Sequence, residues 1–212
     1  MTESDDGVSY VGSMSTVDVE TTRPQHGRAE QTRAAILEAT RRMFLERGYA
    51  GTTVNAITAS CGISRAGFYT YFKDKREVFG LLGDRAYRDL RGVLASWDSF
   101  DGSDRVSDVR AFVRAYFGYL DRHGAFAMSA THSAPDDDEF RRGNTRMQTR
   151  LAWILGQAIG PPADHSPEVV GSAAFGLLDR SWYTVRTQTV AIDEAEMVEF
   201  LTGVIHGMGA GR

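Results

Sequence analysis

An all-α chain of about nine helices is what this sequence predicts, and three observations predict it. Apolar residues recur at steps of three and four, segments alternating at period two are absent, and turn residues cluster between the apolar stripes. At 212 residues and 42% hydrophobic content the chain can bury a core without cross-links or metals. Its single cysteine, Cys61, permits no intramolecular disulfide and suits a reducing, cytoplasmic compartment. No apolar run reaches the roughly 18 residues of a membrane span, and the N-terminus lacks a signal peptide, so no membrane contact is expected.

Residues 1–28 are rich in Ser, Thr, Gly and Asp without apolar periodicity, and they read as a disordered tail. Ile36, Thr40, Met43, Phe44 and Arg47 then mark a first helix over roughly residues 30–47, with Gly48 placed to end it in the left-handed conformation. Thr53 can cap a short helix running from Val54 to Cys61, where Gly62 breaks it. Ser64 caps the next, with Ile63 and Phe68 at the spacing of a hydrophobic staple. Asp74 and Glu77 form a capping box at the start of a long helix whose stripe runs Phe79, Leu82, Ala86, Leu90, Val93 and Trp97. Later stripes run from Val106 to Leu120, Phe140 to Ala158, Val170 to Trp182 and Met197 to Met208. The glycines from Gly207 to Gly211 read as a flexible end. This divides the chain into the tail, a three-helix helix-turn-helix domain over 29–75, and a helical domain over 76–212.

The stretch GISRAGFYTYFKDK at 62–75 packs four aromatics and three cations into fourteen residues. At about 100° per residue, Phe68, Phe72, Ser64 and Tyr71 fall on one side of a helix, and Ala66, Tyr69 and Thr70 oppose them with Arg65 at the border. The outward set is what a helix entering the DNA major groove requires: a cation to read bases, a small residue for close approach, and hydroxyls for phosphates. Lys75, at the first position of the next helix, is placed to grip a phosphate together with the helix dipole. Charge agrees. Residues 23–91 hold thirteen Lys/Arg against seven Asp/Glu, whereas residues 1–22 and 92–212 are both acidic, although the whole chain carries −4.

Here the chain resembles the TetR family of bacterial transcriptional regulators. The resemblance is carried by ThrArgAlaAlaIleLeuGluAlaThr at 32–40, PheLeuGluArgGlyTyr at 44–49, Thr53 with ValAsnAlaIle, CysGlyIleSer, PheTyrThrTyrPhe and Lys75. By position it implies phosphate contacts from Thr53, Tyr69, Tyr71 and Lys75, and base contacts from Arg65, Ala66, Gly67 and Asn55. For Tyr71 this implication opposes the helical wheel, which turns the ring inward. Gly67 and Cys61 depart from the family pattern, which often has Thr and Ala there. Residues 76–212 would then be a ligand-binding and dimerisation domain, pairing through the last two long helices, where Gly171, Ser172, Ala173 and Ala174 permit close approach.

Trp97, Phe112, Tyr116, Trp153, Phe175 and Trp182 are candidates to line an effector cavity, each equally a core aromatic. A metal or cofactor is not expected. His26, His123, His132, His165 and His206 show no ligand spacing, and the acidic run from Asp136 to Glu139 suits a helix start. The expectation is a dimeric repressor that binds a palindromic DNA operator and is released by a small apolar or aromatic effector. The alternatives are a protein-binding adaptor or a small helical enzyme without DNA affinity. No catalytic constellation supports the enzyme.

Overall fold

The computed structural model describes residues 23–100, 102–132, 138–187 and 191–209. Among these the order is α1 (Arg23–Gly51), α2 (Val54–Cys61), α3 (Arg65–Tyr71), α4 (Lys75–Ala95), a 3-10 turn (Ser96–Ser99), α5 (Arg105–His132), α6 (Asp138–Ile159), α7 (Pro167–Thr187) and α8 (Glu194–Met208), with no strand. The expected tail over residues 1–22 lies outside the described residues, but residues 23–28 form the first turns of α1. The His26 and His132 side chains and the run from Asp136 to Glu139 also fall outside the described set, apart from Asp138, which opens α6.

Local chemistry sets the boundaries. Gly48 interrupts α1 at φ 67°, a conformation an L-residue adopts at a cost. Thr53 accepts the Ala56 N–H, Ser64 accepts the Gly67 N–H and Asp74 accepts the Glu77 N–H, each capping the helix that follows. The Glu77 carboxylate reaches back to the Lys73 N–H at 2.6 Å, one residue before the usual capping-box partner. Gly62 ends α2 at φ 66° and turns the chain into α3. At the far end, Gly207 and Met208 belong to α8 rather than to a loose glycine tail, because the helix runs on to its cap at Gly209.

Among the described residues one hydrophobic cluster runs from Ile36 of α1 to Ile205 of α8. Phe79, at the start of α4, is its junction: its ring lies 5.4 Å from Phe44 and 5.0 Å from Tyr49 in α1, 4.8 Å from Phe126 in α5 and 5.4 Å from Phe140 in α6. The helix-turn-helix end and the C-terminal helices therefore share a core instead of meeting at a hinge. Further along, α6 and α7 cross almost backbone to backbone. A Cβ on Gly171 would stand 1.8 Å from the Ala152 carbonyl oxygen, and one on Gly156 would stand 1.9 Å from that of Pro167.

Candidate nucleic-acid interface and effector cavity

The three-helix end presents α3 as its outer element. Phe68 and Phe72 are wholly buried, and Tyr69 is 45% exposed, so the helical angle does divide the aromatics into an inner pair and an outer ring. Arg65, Ala66 and Thr70 are exposed beside Tyr69; Gly67 is half-buried. The Tyr71 ring packs against the core cluster, as the wheel has it.

Arg65 is braced. Its Nη1 donates to Asn55 Oδ1 of α2 at 3.2 Å, its Nη2 donates to the Tyr69 hydroxyl at 3.2 Å, and its guanidinium lies 5.6 Å from the Tyr69 ring centre. Two helices thus hold one cation over the N-terminal turn of α3. Thr53, Asn55 and Ser64 are exposed alongside it. Thr70 turns its hydroxyl proton to the Ala66 carbonyl, which leaves its oxygen as an acceptor. Gly67 needs its lack of a side chain for no steric reason: a Cβ there would make ordinary contacts at 3.4 Å to Ser64 Oγ and 3.7 Å to Ile63.

Lys75 differs from the expectation of a phosphate grip. Its Nζ donates to the carbonyls of Tyr49 at 2.7 Å and Thr52 at 2.8 Å, and lies 4.2 Å from the Tyr49 ring centre. Two of its three N–H donors thereby serve carbonyls at and just past the end of α1; that of Tyr49 also accepts the Thr52 N–H at 3.3 Å. Burial lowers its pKa. Cys61 is half-buried, contacts the Ala35 carbonyl oxygen at 3.6 Å, and burial pushes its thiol up, which makes it a poor nucleophile.

A cavity of about 370 Å³ opens between α4, α5, α6 and α7. Of the six aromatics nominated for it, Tyr116 and Phe175 line it. The other four are elsewhere. Trp97 stacks on Phe100 and Phe112, with its Nε1 buried and unpartnered; Phe112 is fully buried in the core. Trp182 seats its ring on Gly124 and donates to Asp121, and Trp153 is 45% exposed on the outer side of α6. Bulk alone made them candidates, but the packing of their helices turned them away.

Several lining residues had not been singled out: Tyr87, Tyr119, Phe126 and Asp179. Tyr116 donates to Asp179 Oδ1 at 2.8 Å. Burial pushes the Asp179 carboxyl up to about 6, against the lowering effect of that hydrogen bond. Burial also raises Tyr116 and Tyr119, and the nearby Asp179 charge adds to it. A signal existed: Asp179 stands four residues after Phe175 and three before Trp182, an acid inside an apolar stripe.

The proposed dimer face is composed differently from the expected stripe. Leu201 and Ile205 are buried in the chain's own core, and Gly171 and Ala174 serve the α6 contact and the core. What α7 and α8 leave outside is Val169, Leu177, Tyr183 and Phe200, the last 65% exposed. Among the described residues no helix is long and apolar enough to cross a membrane.

Residues 36–82 match the profile of bacterial regulatory proteins of the tetR family. The regulator TtgR of Pseudomonas putida is 32% identical over 92 residues, covering 43% of this chain and 44% of TtgR. The repressor BepR of Brucella suis is 38% identical over 73 residues, 34% of this chain and 35% of BepR. The matched segments thus span less than half the length of these curated relatives. A solved transcriptional regulator from Saccharomonospora viridis, in complex with choline, superposes with a TM-score of 0.65 at 17% identity over 86% of this chain and all of that one. That likeness extends the fold past the matched segment into the C-terminal helices.

Proposed function

Because residues 36–82 match the tetR family of bacterial regulatory proteins, we propose that the chain is a dimeric transcriptional repressor of the cytoplasm, which binds a palindromic operator and releases it when a small molecule fills the cavity. The observation that carries the reading is Arg65, an exposed guanidinium pre-oriented by Asn55 and Tyr69 on the first turn of α3. A bidentate arginine on guanine is the commonest specific contact in the major groove, and bracing lowers the ordering cost of making it. Thr53, Ser64, Ala66, Gly67, Tyr69 and Thr70 surround it as backbone and base contacts.

Two recognition helices reach successive major grooves when they stand about 34 Å apart. The distance depends on α4, which carries the Lys75 clamp at one end and wall residues of the cavity, Gly83 to Leu90, further along. Phe126 lines the cavity and packs on Phe79, which packs on Tyr49, whose carbonyl Lys75 holds. An effector that displaces Phe126 or α4 disturbs the same contacts that seat the DNA-binding end. A fold relative solved with choline supports a small-molecule effector.

The test is a gel-shift panel on operator variants recovered by footprinting. Arg65→Ala is expected to lose about 1–3 kcal/mol at one base position and to relax the preference there. An equal loss on every sequence would remove Arg65 as a base reader, and no salt-dependent DNA affinity in the parent chain would remove the repressor reading.

A further inference from the structure

The cavity wall is not electrically neutral. Among its described lining residues, Asp179 is charged and no Lys, Arg or His accompanies it. Its hydrogen bond among the described residues comes from Tyr116, which satisfies one of about four lone-pair positions of the carboxylate. A recessed carboxylate without a cation is a costly arrangement, and proteins keep such groups where a ligand completes them.

Five of the other lining residues are aromatic. Tyr116 lies 5.6 Å from both Tyr119 and Phe175, ring centre to ring centre, and Tyr87 and Phe126 add further rings from α4 and α5. Tyr119 also packs on His123 at 5.1 Å, and His123 is tied to Asp89 of α4 at 2.7 Å. Aromatic faces attract cations within about 6 Å of their centres, and the attraction grows when water is excluded.

We propose that the cavity binds an organic ammonium with an apolar body, its cationic head held between the Asp179 carboxylate and the rings of Tyr116, Tyr119 and Phe175. The proposal rests on the effector reading and assigns the effector its charge. The body lies along Leu90, Met147 and Leu151, and Asn144 and Gln148 on α6 add neutral polar groups to the wall. A neutral apolar molecule would leave the carboxylate uncompensated. An organic acid would be repelled by it.

Phenylbutylamine, phenylbutanol and phenylbutyrate share a body and differ in charge, so calorimetric titration of the DNA-free protein with each reads the preference directly. The amine is expected to bind about tenfold or more tighter than the alcohol, and the acid weakest. Asp179→Asn, which keeps an oxygen for the Tyr116 hydroxyl, is expected to bring amine and alcohol to within about twofold. Equal or tighter binding of the alcohol or the acid, no binding of any of the three, or an amine preference that survives in D179N overturns the proposal. The parent-chain preference is measured without a substitution, so it stands even if D179N fails to fold. Operator affinity is measured separately: amine selectivity without DNA binding defeats the repressor and leaves the cation site, and DNA binding without selectivity defeats the cation site alone.

Discussion

At the scale of single residues, Asp179 and Arg65 illustrate opposite uses of charge. Arg65 is exposed and pre-oriented, so its stability cost is small and its proposed function is contact. Asp179 is recessed among tyrosines and its carboxyl is pushed up to about 6 from an ordinary 3.8. A folded-state pKa above the unfolded one means that the folded chain holds more protons between about pH 4 and pH 6. Stability contributed by this group therefore falls as pH rises through that window and is flat above it. The gap corresponds to about 3 kcal/mol. Without ligand, D179N is expected to match the parent near pH 4 and to exceed it by up to ~3 kcal/mol near pH 7.5, as read from urea midpoints. Parallel profiles across the window would show that the carboxylate is not strained in the empty cavity.

At the scale of elements, two contacts decide how helices sit. Lys75 begins α4 but its ammonium closes the end of α1, and loss of its donors takes a partner from the Thr52 carbonyl and leaves the Tyr49 carbonyl with the Thr52 N–H at 3.3 Å. Lys75→Met, which keeps the apolar stem over the Tyr49 ring, is expected to cost about 1–3 kcal/mol in thermal unfolding and to weaken binding to all DNA sequences alike. Unchanged stability with weakened DNA binding would return Lys75 to a direct phosphate contact. Gly171 is the second case. The Ala152 carbonyl occupies the place of a Cβ at 1.8 Å, so Gly171→Val must push α7 off α6. Loss of cooperative unfolding, or a drop above ~3 kcal/mol, is the expected result in a circular-dichroism melt. The sequence marks this glycine for close helix approach; the partner is α6 of the same chain.

At the scale of the whole molecule, the surface left by folding is where the proposed dimer must form. Phe200 of α8 is 65% exposed, and Leu177 and Tyr183 of α7 also lie outside, large apolar side chains open to a second copy. Phe200→Glu is expected to shift sedimentation from dimer to monomer and to weaken operator binding, because half-sites are then engaged singly. Trp153→Glu changes another exposed ring, 45% exposed and carried by α6 rather than α7 or α8, and is expected to leave the dimer intact. Dissociation by both variants, or by neither, would move the interface elsewhere.

Helix number, order and caps were legible in the chain because they depend on neighbours within about four residues: Thr53, Ser64 and Asp74 cap as their spacing requires. The division of GISRAGFYTYFKDK into Phe68 and Phe72 inside and Arg65 and Tyr69 outside was legible for the same reason. Long-range partners were not. Lys75 meets carbonyls 26 and 23 residues away, Trp97 and Trp182 find pockets of their own, and Tyr116 meets Asp179 across 63 residues. Periodicity states which face of a helix is apolar, but not which helix lies against it, and that choice rests on packing among all of them at once. The outer face of α3 was thus written locally in the sequence, and the cavity with Asp179 in its wall exists only because four separate helices close around it.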